Sequence, residues 1–124
     1  MLKARDVMTD HVITIQSLAT VAEALDLMRR HKVHALIVDN SNPDDAYGIL
    51  TDEDIVYNVT AEGADPMAIQ VYEVMTKPCV VVNPDLGVEY VAKLFANVGI
   101  RCAPVIQEKL LGIISVSDIL YRSA

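Results

Sequence analysis

The sequence contains one pattern twice, and this duplication constrains the fold more than any other feature. Asp6-Val7-Met8-Thr9 returns 67 residues later as Glu73-Val74-Met75-Thr76. Gly48-Ile49-Leu50-Thr51 returns 64 residues later as Gly112-Ile113-Ile114-Ser115. The difference of three residues falls in the turn-rich stretch Ser41–Asp45, where a change in length costs little conformational entropy. The chain is therefore predicted to contain two copies of one structural unit.

Each copy is predicted to follow the order β-α-β-β-α, with repeat 1 at residues 1–66, repeat 2 at 67–124 and Gly63–Met67 as the joint. In repeat 1 the pattern predicts strands at 12–15, 35–38 and 47–50, and helices at 21–32 and 52–62. In repeat 2 it predicts strands at 79–82, 101–106 and 110–115, and helices at 88–98 and 116–122. A helix joins the first two strands of each repeat, so they should be parallel, and the next two strands should form a hairpin. Pro104 lacks an N–H group, so its strand should be an edge or be bulged there.

The predicted fold class is α/β (α+β), a tandem pair with pseudo-twofold symmetry. One repeat alone buries little core, so the two should pack on each other and enclose a cleft between them.

Composition narrows the class of protein. Hydrophobic residues make up 52% of the 124 residues, which excludes a disordered linker, yet no run approaches the ~18 residues of a membrane span. The N-terminus resembles no signal peptide, so a cytoplasmic location is expected. Lys and Arg number 10 against 17 Asp and Glu, and no basic run occurs, so neither nucleic acid nor a membrane is an expected partner. Cys79 and Cys102 lie in apolar runs and should be reduced, buried thiols.

The ordered motifs resemble those of a cystathionine-β-synthase (CBS) domain pair. The resemblance is carried by Val-Met-Thr at the start of each repeat and by Gly48–Ile55 and Gly112–Ile119 near the end. It covers essentially the whole chain. It implies a regulatory, energy-sensing module that binds an adenine nucleotide in the cleft between the repeats, with AMP first and ADP, ATP or S-adenosylmethionine also open. It also implies pairing into a homodimer, for which exposed helix residues such as Val56, Tyr57 and Tyr90 offer a surface, and an unidentified regulated protein.

The resemblance assigns roles to the acids that follow the third strand of each repeat. Asp54 and Asp118 would accept hydrogen bonds from the ribose hydroxyls, while Thr51, Ser115 and Ser117 would contact the nucleotide. A second interpretation needs no ligand, because Thr-x-x-Asp and Ser-x-x-Asp are also helix capping boxes. Both can hold together if the cap uses only some of the oxygens.

The resemblance also points to a phosphate contact at the start of the second strand. His34 and Arg101 occupy this position in repeats 1 and 2, and a guanidinium presents a planar fork to phosphate oxygens. Apolar strand residues would line the base, although such residues are more often core than pocket. The candidates are Ile13, Thr14, Val80 and Ile113, with Ile49 nearby.

Other chemistries find little support. His31-x-x-His34 joins a helix end to a strand start, which does not suit a metal, and no catalytic order of residues or Walker loop occurs. The chain is therefore not expected to be an enzyme or to require a cofactor. The alternative function is a protein–protein interaction or scaffolding module with degenerate pockets and no nucleotide.

Overall fold

The computed structural model, which describes residues 1–123, follows the duplicated pattern closely. Its strands are β1 (Thr14–Ile15), β2 (Ala35–Val38), β3 (Gly48–Thr51), β4 (Cys102–Gln107) and β5 (Lys109–Ser115). Its α-helices are α1 (Ala4–Val7), α2 (Val21–His31), α3 (Asp52–Ile55), α4 (Val88–Val98) and α5 (Val116–Arg122). A π-helical turn (Val56–Thr60) continues α3, and a 3₁₀ turn spans Val71–Glu73. The mixed helix and strand fold predicted from sequence is confirmed.

The longer helices begin at a side-chain cap or end at a residue with left-handed backbone conformation. The Thr20 hydroxyl accepts the Glu23 N–H at 3.2 Å and caps α2, which ends at Lys32 with a left-handed φ of 55°. Gly99, at φ 79°, ends α4 in the same conformation, which glycine adopts without a steric penalty. Helix α2 buries Val21, Ala24 and Met28 on one face, as the apolar spacing predicts.

The strand pairings agree with the predicted connections. β1 runs parallel to β2, and β2 pairs antiparallel with β3. β4 and β5 form an antiparallel hairpin whose turn places Glu108 at φ 66°. A register shift lies between Val105 and Ile106, one residue beyond Pro104, in the strand that the proline predicted to be bulged or at an edge.

The predicted strand at Cys79–Val82 is wrong, because the structure has only a single bridge there, between Val82 and Val105. The cause is visible in repeat 1, where the Ile37 N–H donates to the Ile13 carbonyl at 3.0 Å. The equivalent pair in repeat 2 is Pro104 and Val80, and proline has no N–H to donate. The strand at 12–15 is likewise shorter than predicted.

The compact units of the structure do not coincide with repeats 1–66 and 67–124. The continuous unit is Ile13–Cys79, and the discontinuous unit combines Met1–Val12 with the chain from Val80 onward. Gly63–Met67, the predicted joint, therefore lies inside the continuous unit. The physical reason is main-chain pairing: the Ala4 N–H donates to the Leu86 carbonyl at 2.8 Å, and the Thr9 N–H donates to the Ile113 carbonyl at 2.8 Å.

Each unit has its own hydrophobic core. The start of the chain contributes Ala4 and Val7 to the core of the discontinuous unit, while Val71 from repeat 2 joins the core of the continuous unit. The discontinuous core also contains Val82, Val88, Val91, Phe95, Ala103, Val105 and Ile114. The continuous core also contains Ile15, Val21, Ala24, Met28, Leu36, Val38, Leu50, Ile55 and Val59. Within residues 1–123, no helix combines the length and apolar character needed to cross a bilayer.

Candidate functional site

In the discontinuous unit, Asp118 lies at the centre of a hydrogen-bonded cluster. Its Oδ2 accepts the Ser115 N–H at 2.9 Å, and the Ser115 hydroxyl accepts the Asp118 N–H at 3.1 Å, which completes the capping box of α5. The Thr9 hydroxyl donates to Oδ1 at 3.1 Å, and Arg122 Nε lies 3.8 Å from the same oxygen. The Asp118 side chain is 12% exposed.

This cluster changes the sequence expectation for Asp118. The capping box uses only Oδ2 and leaves Oδ1 unoccupied. In the structure, however, Thr9 and Arg122 are partners of Oδ1, so both oxygens have partners within the chain. A carboxylate has about four acceptor positions, so each oxygen can accept a further hydrogen bond. A ribose hydroxyl at Asp118 would share the carboxylate with Thr9 and Arg122.

Sequence reasoning missed Thr9, although the repeated Val-Met-Thr was its strongest signal. Met8 and Thr9 pack against Gly112 of β5, and the Met8 carbonyl accepts a hydrogen bond from Arg122 Nη1 at 3.1 Å. A Cβ on Gly112 would lie 2.7 Å from the Thr9 carbonyl oxygen and 2.8 Å from Met8 Sδ. The motif and the glycine are thus two halves of one packing contact, which brings the Thr9 hydroxyl to Asp118.

The continuous unit repeats this arrangement with the other copy of each motif. Thr76 and Ile49 exchange two main-chain hydrogen bonds at 2.9 and 3.0 Å, and a Cβ on Gly48 would lie 3.1 Å from Met75 Sδ. Thr51 and Asp54 form the capping box of α3: the Thr51 N–H donates to Asp54 Oδ2 at 2.9 Å, and the Asp54 N–H donates to the Thr51 hydroxyl at 3.2 Å.

Main-chain hydrogen bonds join Arg101 and His34, the two residues predicted to contact phosphate, to the capped helices. The Arg101 carbonyl accepts the Val116 N–H at 2.8 Å, and the His34 carbonyl accepts the Asp52 N–H at 2.9 Å, so each residue touches the first residue of the following helix. Arg101 is exposed. His34 Nδ1 lies 3.4 Å from Asp52 Oδ2, and the imidazole is 90% exposed.

Each unit therefore collects its own set of predicted polar residues at one end of its sheet. The discontinuous unit collects Arg101, Ser115, Ser117 and Asp118, and the continuous unit collects His34, Thr51 and Asp54.

The predicted base-contacting residues differ in burial. Ile49 is buried, Thr14 is exposed, and Ile13, Val80 and Ile113 are half-buried. Ile13 packs against the core of the continuous unit. A shallow groove of about 560 Å³ beside α2 contains none of the predicted binding residues; its walls are Thr20, Ala22, Glu23, Asp26, Leu27, Arg30 and Met67.

Two titratable groups of the continuous unit have shifted pKa values. Lys77 Nζ lies 2.6 Å from Asp45 Oδ2 and, together with Ser41, holds the pKa of the Asp45 carboxyl well below its usual range. This ion pair ties the turn at Ser41–Asp45 to the residue that follows Thr76. Burial raises the pKa of the Cys79 thiol, which disfavours its thiolate. Among residues 1–123, no cluster of three His, Cys, Asp or Glu side chains has the arrangement of a metal site.

Comparison with known proteins identifies the family. The CBS domain family matches residues 4–60 and 71–124. The chain belongs to the CBS domain family. CBS pair proteins are regulatory modules, and stand-alone proteins of this type are generally not enzymes.

Two relatives align with most of this chain. The CBS domain-containing protein YhcV of Bacillus subtilis is 36% identical over 120 residues, which are 96% of this chain and 84% of that protein. A protein of Methanopyrus kandleri is 32% identical over 111 residues, which are 88% of this chain, and this chain spans only 56% of that protein.

Solved structures share the fold. The hexameric CBS-CP12 protein from bloom-forming cyanobacteria is 59% identical, with a TM-score of 0.98 over 99% of this chain and 72% of that one. The CBS domain pair of protein MJ0100, in complex with 5′-methylthioadenosine and S-adenosyl-L-methionine, is 23% identical, with a TM-score of 0.83 over 97% of this chain and 94% of that one.

Proposed function

We propose that this chain is a cytoplasmic regulatory module that binds an adenine nucleotide, with AMP first and ADP or ATP next, and transmits its occupancy to a partner protein. The observation that carries the proposal is the placement of Arg101 beside the Ser115–Asp118 cap in the discontinuous unit. A guanidinium, two hydroxyls and a carboxylate at one end of a sheet match the groups of a nucleoside phosphate.

The roles of the residues follow from their chemistry. Asp118 would accept hydrogen bonds from the ribose hydroxyls, as acids do in other nucleotide-binding folds. Arg101, at the adjacent strand start, would bind the phosphate through its planar fork, and Ser117 adds an exposed hydroxyl. Val80 and Ile113 are half-buried and would offer apolar contact to the base.

The Thr9–Asp118 contact supplies a route from ligand to regulation. A ribose bound at Asp118 would alter the hydrogen bonding of the residue that holds Thr9 and Arg122. Binding then favours one arrangement of the N-terminal segment, and a ligand regulates only to the extent that it prefers one state over another. The partner would bind the surface that this segment helps to form.

Thermal unfolding with added AMP, ADP, ATP and S-adenosylmethionine tests the proposal. A ligand at 100 times its Kd should add about 2.7 kcal/mol to the free energy of unfolding. Asp118→Ala and Arg101→Ala should weaken binding while the variants remain folded. Glu89→Ala and Lys109→Ala remove one acid and one base from exposed positions of the same unit and serve as controls. No stabilisation by any nucleotide would contradict the proposal.

A scaffolding function is the second candidate, and the hexameric CBS-CP12 neighbour favours it. Equivalent helix positions in the two units expose apolar pairs: Val56 and Tyr57 are 49% and 64% exposed, while Leu120 and Tyr121 are 64% and 78% exposed. We propose that these pairs support a homodimer or a larger homo-oligomer. Exposed apolar residues that recur at matching positions are typical of interaction surfaces.

Sedimentation of the variants tests this assembly. Tyr57→Glu and Tyr121→Glu should reduce the oligomer to a smaller species, because each places a charge in the proposed interface. Tyr72→Glu, at a tyrosine 48% exposed elsewhere in the chain, should leave the oligomer intact. A monomeric wild-type chain, or equal behaviour of all three variants, would contradict an assembly through these helices.

A further inference from the structure

The two candidate sites have the same framework but opposite charge. Arg101 in the discontinuous unit stands where the continuous unit has His34, and Arg122 stands where it has Asn58. The residues after the capping hydroxyl are Val116 and Ser117 in the discontinuous unit; the continuous unit has Asp52 and Glu53 there. All four differences make the continuous site more negative.

Contacts show that these charges lie next to the caps. Arg122 Nε is 3.8 Å from Asp118 Oδ1, so this cation is part of the discontinuous site. In the continuous unit, Asp52 Oδ2 lies 3.4 Å from His34 Nδ1, so this carboxylate is part of the continuous site. Asp52, Glu53 and Asp54 together form the first turn of α3.

The continuous unit as a whole is also more negative than the discontinuous unit. The continuous unit has four Lys and Arg side chains against eleven Asp and Glu side chains, so its net charge is −7. The discontinuous unit has six of each and is neutral. A phosphate approaching the continuous site therefore meets local and long-range repulsion.

We infer that the chain binds one phosphate-bearing adenine nucleotide, in the discontinuous unit, and that Asp52 and Glu53 exclude a second from the continuous unit. This inference rests on the proposed function and adds the specificity-determining residues. A phosphate monoester is about twice negative at pH 7, so each added carboxylate within a few ångströms opposes it strongly.

Calorimetric titration with AMP tests the inference directly. Wild type should bind one AMP per chain, and Asp118→Ala should weaken that binding. The double substitution Asp52→Val with Glu53→Ser transfers the residues of the discontinuous unit into α3. It should add a second AMP, at least about tenfold tighter than any second binding to wild type. Combining it with Asp118→Ala should leave one AMP, now in the continuous unit.

A matched control separates local from overall charge. Asp44→Val with Glu62→Ser makes the same charge change at exposed positions of the continuous unit outside the site, and it should leave one AMP per chain. High salt should strengthen second-site binding to wild type, because the Debye length falls to about 3 Å at 1 M.

The outcomes distinguish the inference from the proposed function. Two equivalent AMP molecules per wild-type chain would overturn the inference, and so would a single AMP in the folded double variant. Appearance of the second AMP in the control variant would assign the exclusion to overall charge and overturn the role of Asp52 and Glu53. Absence of binding of AMP, ADP and ATP to wild type and all variants would instead contradict the proposed function.

Discussion

The Thr9 hydroxyl donates a hydrogen bond to Asp118 Oδ1 at 3.1 Å and joins residues 109 positions apart in the chain. This bond connects the first motif of repeat 1 to the last motif of repeat 2. It also places a structural donor on the carboxylate that is proposed to bind ribose. The N-terminal segment therefore contributes a hydrogen bond to the candidate site.

Thr9→Val should destabilise the folded chain by about 1–2 kcal/mol, since it removes the donor to a largely buried acceptor. Thr9→Ser retains the hydroxyl and should preserve most of the stability. Denaturant unfolding measures the difference. A Thr9→Val variant as stable as wild type would contradict a contribution of this hydrogen bond, because valine keeps the threonine methyl group and loses only the hydroxyl.

Gly112→Ala should destabilise the chain by about 1–3 kcal/mol, because its Cβ would lie 2.7 Å from the Thr9 carbonyl oxygen, too close for the backbone to accommodate. Gly48→Ala is the matched control: its Cβ would lie 3.1 Å from Met75 Sδ and 3.2 Å from the Thr76 carbonyl oxygen, a less close approach to the main chain than at Gly112. We expect the smaller loss there. Urea denaturation ranks the two, and a reversed order would show that the main-chain approach at Thr9 does not limit packing.

Ile37→Pro should convert the continuous unit to the pattern of the discontinuous one by removing the N–H that donates to Ile13. The lost hydrogen bond and altered packing should cost about 2 kcal/mol or more. Amide hydrogen exchange should show faster exchange at Asp39, whose N–H donates to Ile15. Ile37→Val keeps the N–H and should preserve this protection; if both variants lost it equally, side-chain volume would be the cause.

Asp45→Asn should lower the thermal stability at pH 7, because the carboxylate is stabilised mainly by its contact with Lys77 and to a smaller extent by hydrogen bonds from Ser41. Since these partners lower the pKa of Asp45 in the folded state, their contribution is fully present above the ordinary aspartate pKa of about 4. This stabilising contribution is lost as the pH falls further, through the lowered pKa that Asp45 has in the folded state. The difference in melting temperature between wild type and Asp45→Asn should therefore become smaller below about pH 4.

Melting temperatures across pH 2–8 measure this dependence. Asp44→Asn, one residue earlier in the same turn, is the control and should show a smaller change at pH 7. A gap that stayed constant across the range would contradict an ionic contribution from Asp45.

Much of the local structure followed from short stretches of sequence. The Ser115–Asp118 and Thr51–Asp54 spacings predicted both caps, Gly99 predicted the end of α4, and the bounds of α5 were predicted without error. These features depend on interactions within a few residues. The absence of a strand at Cys79–Val82 was harder to predict from sequence, because the N–H that is missing belongs to Pro104, more than twenty residues away in the chain.

The sequence by itself determined that the chain contains two copies of one unit, where helices α2, α4 and α5 begin and end to within one residue, and which family they belong to. The helix predicted over 52–62 was wrong in part, because α3 ends at Ile55 and a π-helical turn follows it. Only the tertiary structure decided which copy of Val-Met-Thr packs on which glycine. The physical reason is that the two copies present nearly the same apolar pattern, so local preferences favour either pairing equally. Long-range packing chose Thr9 for Gly112 and Thr76 for Gly48, and in doing so joined Thr9 to Asp118.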